Sequence, residues 1–343
     1  MSKPRLVNLL DDFALGGVSK GLGIFDSAPI RAVVDPSVVA IDGEAMIAPQ
    51  LDAEIIVTHF PPNWRRLLFF ATLKLRNPTA RIIHVEHSYT RSWERLNVSN
   101  SRRFRTMLKL ALHMVDQIVC VSAGQARWLS EASGIRSEKI DVIHPFSNNP
   151  GLDAVPAPDF SVPRSLRVGA YGRFHEAKGF DKLIAAWQAG AMPGTELLIG
   201  GFGEDEERLR GLAGGAPGIT FVGKIDDVAG FLAKCDIVAV PSNWEAYGQV
   251  ANEAREAGRP IMVSDVDGLP EQVGQAGLIV DFSSATDVAQ AFGSLDSGKL
   301  TAMSKAGRRA TLNCGPVRQQ QWSDLLRRLL PTHARLRHRF APA

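Results

Sequence analysis

Short apolar runs of strand length alternate with stretches of helical periodicity along the whole chain, and this alternation limits the possible folds more than any other feature. In the first half, RLVNLL (5–10), AEIIVTHF (53–60), ARIIHVEHS (80–88) and DQIVCVS (116–122) have the length and apolar content of buried strands, and DVIHP (141–145) closes the series. The segments 63–75, 101–114 and 123–133 read as helices between them. A second series follows: SLRVGAYG (165–172), TELLIGG (195–201), ITFVG (219–223), DIVAVP (236–241), PIMVS (260–264) and GLIVD (277–281). Helices are expected over 179–189, 204–213, 226–234, 248–257, 285–293, 300–309 and 316–330. This order builds doubly wound parallel sheets. Between the two series, NNPGLDAVPAPDFSVP (148–163) is proline-rich and reads as a linker. The expectation is α/β: one domain over 1–150, a second over 164–315, and a C-terminal helix with a basic tail over 316–343 packing back toward the first. Ligands of such sheets bind beyond the carboxyl ends of the strands, here in a cleft between two facing sheets.

A chain of 343 residues is long enough for two such cores. No apolar run approaches the ~18 residues of a membrane span; the richest, MLKLALHMVDQIVCV (107–121), is interrupted by Lys109, His113 and Asp116. The N-terminal MSKPRLVNLLDDF turns acidic too early for a signal peptide. Cys120, Cys235 and Cys314 are isolated, which suits thiols of a reducing compartment and neither a disulfide framework nor a metal knuckle. A cytoplasmic protein is expected. Charge is uneven: residues 61–110 hold eleven arginines and lysines against Glu86 and Glu94, a net +9 in a chain whose total is +3. Such a stretch attracts anionic surfaces or a phosphorylated substrate, or is a set of solvated helix faces.

Three segments carry candidate chemistry. GGVSKGLG (16–23) follows the first strand, but its glycine spacing is wrong for a dinucleotide fingerprint. In AYGRFHEAKGFDKLIAAW (170–187), Arg173 leaves a strand and Lys178 lies just before a helix; a guanidinium fork and an ammonium on one short loop suit a diphosphate. In SNWEAYGQVANEAREAGRP (242–260) a strand gives way to a helix near Gly248. Free N–H groups at such a start, with the helix dipole, favour a phosphate oxygen. Glu245 precedes the turn and Glu253 lies inside the helix, too far along the chain to oppose one another as a glycosidase pair does. They suit separate tasks, each accepting hydrogen bonds from hydroxyls of one elongated ligand.

Glu245-Ala-Tyr-Gly through Glu253 resembles the E-x7-E motif of the retaining glycosyltransferases of family four. GRFHEAKGFDKLIAA, ITFVGKIDDVAGFLAKCDIVAVPS and GLPEQVGQAGLIV are similar to other segments of that family, and VSAGQARWL and VIHPFSN to the end of its first domain. The resemblance covers nearly all of the second half and is thinner over 1–150. It implies two Rossmann-like domains facing across a cleft, the GT-B arrangement, and a metal-independent hexosyltransferase whose nucleotide-sugar donor, a UDP-sugar, is a co-substrate with no cofactor. By the same resemblance Arg173 and Lys178 bind the diphosphate, Glu253 the ribose, and Glu245 with the backbone of Ala246, Tyr247, Gly248 and Gln249 the transferred sugar. Val250 packs on the nucleoside, Lys224 and Ile225 line the base, and Gly16 and Gly17 approach the phosphates. His87, in VEHS, matches the family's histidine near the reacting carbon better than His84 does; His59, in THFPP, is a second candidate. The chain departs from the pattern at Lys20, where many members have arginine, and at Asp267, where they have glycine.

The basic segment SRRFRTMLKLALHM (101–114) offers Arg102, Arg103, Arg105 and Lys109 to an anionic membrane, interleaved with Phe104, Met107, Leu108 and Leu110. This points to a membrane-associated enzyme with a lipid or lipid-linked saccharide acceptor, and not to nucleic acid. An epimerase of the same fold and a non-catalytic binder of nucleotide sugars are the alternatives.

Overall fold

A computed structural model of the chain describes residues 3–11, 21–145 and 149–330. The chain divides into two compact units, Met1–Asn148 with Gly315–Ala343, and Asn149–Cys314. Each is built on one six-stranded parallel sheet with helices between its strands, so the chain is α/β with two Rossmann-like units. In the first unit β1 (Arg5–Leu10), β2 (Asp35–Ala40), β3 (Ile55–Thr58), β4 (Arg81–Glu86), β5 (Gln117–Cys120) and β6 (Ile140–Val142) lie in the order β2-β1-β3-β4-β5-β6. In the second, β7 (Leu166–Arg173), β8 (Thr195–Phe202), β9 (Ile219–Gly223), β10 (Ile237–Val240), β11 (Ile261–Val263) and β12 (Gly277–Ile279) lie in the order β12-β11-β10-β7-β8-β9. The central strands β3 and β10 are buried along their whole length, as parallel strands covered on both faces must be.

The structure adds a strand to the sequence reading and removes a linker. β2 is an edge strand with no fully buried residue, and it contains Pro36. An edge tolerates the missing N–H and needs no apolar face, so the run DPSVVA carries no strand signal. The segment 149–163 is not a linker but part of the second unit: Leu152, Val155 and Phe160 are buried in its cores. Arg259 and Arg308 donate to the carbonyls of Pro156 and Asp153, which fixes the backbone between those anchors. The helix Arg91–Asn97, also unforeseen, starts where the Thr90 side chain accepts from the Trp93 amide. The helix Cys314–Leu329 belongs mainly to the first unit. Its Trp322 meets Phe25 edge-on at 4.9 Å, and its Arg328 pairs with Asp141 at 2.5 Å.

Candidate active site

In the second unit, β7 and β10 are neighbours, and the loops leaving their carboxyl ends are laced together. After β7 the chain makes a short turn, Glu176–Lys178, and starts the helix Phe180–Gln188. After β10 it runs through Pro241–Gly248 into the helix Gln249–Glu256. The Asn243 amide donates to the Ala177 carbonyl at 2.8 Å, and its side chain donates to the Glu176 carbonyl at 2.6 Å. Gly179 makes this approach possible: it has φ +59°, and a Cβ there would stand 2.2 Å from the Pro241 carbonyl oxygen. Lys178, one residue earlier, is thereby brought to Glu245, with Nζ 2.5 Å from Oε2.

The Glu245 carboxylate also accepts from Ser242 Oγ at 3.2 Å. Its backbone is clamped from the other side: the Glu245 amide donates to Asp267 Oδ2 at 3.2 Å, and its carbonyl accepts from the Gly268 amide at 3.1 Å. Asp267 adopts φ 48°, a left-handed conformation that aspartate tolerates better than most residues. The departure from glycine noted in the sequence thus supplies a second support for Glu245. Gly248 begins the helix with φ +93°, and a Cβ would meet Leu269 at 2.4 Å. Among the described residues no protein acceptor takes the amides of Ala246 or Gly248, as expected at a helix start. The Tyr247 ring is buried and its hydroxyl donates to Asn252, so this residue offers a ligand only its backbone.

Arg173 ends β7, is exposed, and makes no ion pair among the described residues. Glu253 is buried, and both its oxygens are engaged: Oε1 accepts from Asn149 Nδ2 and Oε2 from the Tyr171 hydroxyl, each at 2.6 Å. Burial first, then the neighbouring carboxylate, push the Tyr171 hydroxyl well above its usual pKa, so it remains a donor. Tyr171 was not foreseen; it lies two residues before Arg173 on the same strand. Ile225 lies across Gly200, where a Cβ would collide with it at 2.1 Å, while Lys224 pairs with Asp226 at 2.9 Å. Val250 packs at the edge of the same core. Gly16, Gly17 and Lys20 lie outside the described residues.

In the first unit the histidines separate cleanly. His84 is fully buried on β4, its ring nitrogens at 3.0 Å from Thr58 Oγ1 and 3.4 Å from Glu86 Oε2. Glu86 Oε1 accepts the amides of Ser88 and Tyr89 and so shapes the turn that carries His87. Burial pushes the Glu86 carboxyl up, but the His84 and amide hydrogen bonds together hold it below its usual value. His87 lies just past the strand end, partly exposed, its Nε2 3.1 Å from His59 Nδ1. Burial chiefly, and His84 beside it, lower its pKa to about 4 against the pull of Glu86. Farther along, the helix Ser101–His113 exposes Arg102, Arg103, Lys109 and Leu110. Its Met107 and Leu108 belong to the core and not to a surface, because they occupy the face turned toward the sheet. Arg105 is half-exposed, but its guanidinium grips the buried Glu94 with two hydrogen bonds of 2.7 and 3.0 Å. Trp64, with Arg103 over its ring at 5.5 Å, and Leu68 and Leu75 are exposed apolar side chains of the same unit.

Residues 165–296 match the family model described as Glycosyl transferases group 1, and residues 44–148 the model described as Glycosyltransferase Family 4. Each unit thus resembles a glycosyltransferase domain over the matched residues. The D-inositol 3-phosphate glycosyltransferase of Mycobacteroides abscessus is 32% identical over 208 residues, 56% of this chain and 46% of that protein. The phosphatidyl-myo-inositol mannosyltransferase of Mycolicibacterium smegmatis is 32% identical over 198 residues, 54% of this chain and 49% of that protein. The chain therefore spans about half the length of the curated relatives it matches. Among solved structures, Anabaena HepE in complex with UDP and glucose superposes with a TM-score of 0.75 at 17% identity, covering 94% of this chain and 99% of that one. Sucrose-phosphate synthase from Thermosynechococcus elongatus gives 0.67 at 23% identity, covering 81% of this chain and 74% of that one. At these identities the likeness is one of fold. The laced loops of β7 and β10 fall inside the first of the two matched domains.

Proposed function

We propose that the chain is a retaining glycosyltransferase that moves a hexosyl group from a nucleoside-diphosphate sugar, a UDP-sugar, to a hydroxyl of a lipid or lipid-linked saccharide. The observation that carries this reading is the placing of Arg173, Lys178, Glu245, the Gly248 helix start and Glu253 at and beyond the carboxyl ends of the neighbouring strands β7 and β10, whose loops are tied by Asn243 and by the Lys178–Glu245 pair. Two cations and the amides of Ala246 and Gly248 are suited to a leaving diphosphate, whose charge develops as the glycosidic bond breaks. That supply of positive charge is the reason no metal is proposed. Glu253, held in place by Tyr171 and Asn149, takes the ribose hydroxyls, and Glu245 takes sugar hydroxyls. Ala246, Tyr247, Gly248 and Gln249 lend backbone amides, and Val250, Lys224 and Ile225 border the nucleoside. His87 contributes a ring nitrogen near the reacting carbon. With no carboxylate assigned as nucleophile, the acceptor attacks on the face the diphosphate leaves, which retains configuration.

The UDP-bound neighbour supports the donor, and the phosphatidyl-myo-inositol relative supports a lipid acceptor, whereas the name of the D-inositol 3-phosphate relative refers to a polar sugar phosphate. Among the described residues no helix is long and apolar enough to cross a membrane. Arg102, Arg103 and Lys109, with exposed Leu110, offer instead a peripheral contact with anionic lipid; Arg105, exposed on the same helix, has its charge partly met by Glu94. The deciding experiment incubates the protein with UDP-, GDP- and ADP-sugars, an extracted lipid fraction and a chelator, and follows sugar transfer by mass spectrometry. Transfer from one donor, lost in Lys178→Ala and Glu253→Ala proteins that still fold, is expected. Transfer undiminished in both variants would discard the site. An epimer formed from the donor alone would replace transfer by epimerisation. The acceptor side is read by flotation with anionic vesicles, which should fail at high salt and in an Arg102→Glu/Arg103→Glu protein.

A further inference from the structure

Three adjacent strands of the first unit, β1, β3 and β4, deliver Asn8, His59 and His87 to one line of hydrogen bonds near their carboxyl ends. Asn8 is buried on β1, and its Nδ2 donates to the Ser37 carbonyl at 3.4 Å on the edge strand. Its Oδ1 therefore faces His59 Nε2, at 3.0 Å. A carbonyl oxygen can only accept, so His59 Nε2 carries a proton. His59 is buried, and burial with the nearby His87 and His84 holds its pKa well below the usual value. A neutral ring has one N–H, so His59 Nδ1 is a bare lone pair. The group 3.1 Å away, His87 Nε2, must then be the donor. His87 is neutral by the same burial, which leaves its Nδ1 without a proton. Among the described residues nothing hydrogen-bonds to that atom.

We infer that Asn8 and His59 set the tautomer of His87, fixing its proton on Nε2 and leaving Nδ1 as an acceptor, so that His87 meets its substrate by accepting a hydrogen bond from a hydroxyl and not by donating one to a phosphate oxygen. His59 is a positioning residue: it orients the ring and acts through it. The two rings border a pocket of about 40 Å³ with Ile24, Phe25, Val85 and Trp322, room for a hydroxyl group or a few waters. Its apolar walls favour the neutral ring forms that the relay requires. The inference deepens the function proposed above. It rests on that reading for the substrate, while the tautomers belong to the protein alone.

The test uses the full chain with its histidine rings labelled with nitrogen-15, read by long-range proton–nitrogen correlation near neutral pH. Signals are assigned by their loss in His59→Gln and His87→Gln proteins. Both rings should show the neutral Nε2–H pattern. Asn8→Ala should turn both into tautomer mixtures, whereas Asn8→Asp, which still accepts from His59, should preserve them. An Nδ1–H pattern for His87 in the unaltered chain, or tautomers indifferent to Asn8→Ala in a protein that melts as a folded one, would overturn the relay. In the transfer assay His59→Leu should lower kcat roughly tenfold, the worth of about one hydrogen bond, with the donor KM little changed. His59→Gln, whose amide oxygen can accept from His87, should recover most of that loss. Transfer unaffected by His87→Ala would instead overturn the substrate-facing half together with the proposed active site, leaving the ring signals as they are.

Discussion

The His87 ring should make the first unit acid-sensitive by an amount that can be worked out. Its pKa falls from 6.5 to about 4 on folding, chiefly through burial and secondarily through His84, while Glu86 opposes the change. The neutral form is favoured in the folded state, so between those two values the unfolded chain binds more protons. The stability that results is fully present above pH 6.5 and is lost as pH falls through 4. The gap corresponds to about 3 kcal/mol. His59, also held low by burial, acts in the same direction, and so does Glu86 at more acid pH. His144 borders the same pocket. A difference measurement isolates His87: urea unfolding at intervals from pH 6.5 to 4, comparing the unaltered chain with His87→Gln. The unaltered chain should lose about 3 kcal/mol more than the variant over that window. Parallel pH curves for the two proteins, or a His87 ring-proton titration midpoint near the free value of 6.5, would refute the reasoning.

Two substitutions in the second unit test how its loops are held. Gly179→Ala forces a side chain into a left-handed conformation, at about 1–2 kcal/mol, and into the Pro241 carbonyl, at about 1–3 more; its melting temperature should drop and its stabilisation by donor shrink, and an unchanged melt would contradict the lacing. Tyr171→Phe keeps the ring and deletes the 2.6 Å hydrogen bond to Glu253. A hydrogen bond to a charged group is worth about 1.5–3 kcal/mol, so donor KM should rise about tenfold or more, with a smaller change in kcat; an unchanged KM would remove Glu253 from the donor site.

Much of the fold was legible because a parallel sheet covered on both faces writes itself as apolar runs. IIVT on β3 and IVAV on β10 are buried throughout and look it. DPSVVA on β2 is an edge, contributes no fully buried residue, and left no signal. The segment 149–163 failed for the opposite reason. Its prolines read as a linker, but three well-spaced apolar side chains, Leu152, Val155 and Phe160, anchor it into the second unit. In the basic helix, Arg105 is exposed, as its sequence suggests, but its pairing with Glu94 was not legible because Glu94 lies on a neighbouring helix that the sequence did not announce.

The two candidate sites differ in how far local sequence can disclose them. In the second unit the organising forces are largely backbone ones: Gly179 and Gly248 at positive φ, a helix start, and the Asn243 amide paired with the loop that follows the neighbouring strand β7. Glycine and acid spacing record such features in short stretches, so Lys178, Glu245 and Glu253 could be singled out. Their partners could not, because Tyr171 and Glu253 are 82 residues apart. In the first unit the organisation is a chain of side chains. Asn8 and His59 are 51 residues apart, and His59 and His87 a further 28. Only the order β1-β3-β4 puts them in line, and that order departs from the chain sequence because β2 is displaced to the edge. The strand whose sequence gave no sign of itself also supplies, through the Ser37 carbonyl, the contact that orients Asn8 and hence both histidine rings. A change at Ser37 that moved this carbonyl would therefore reach His87 without touching any residue a motif could name.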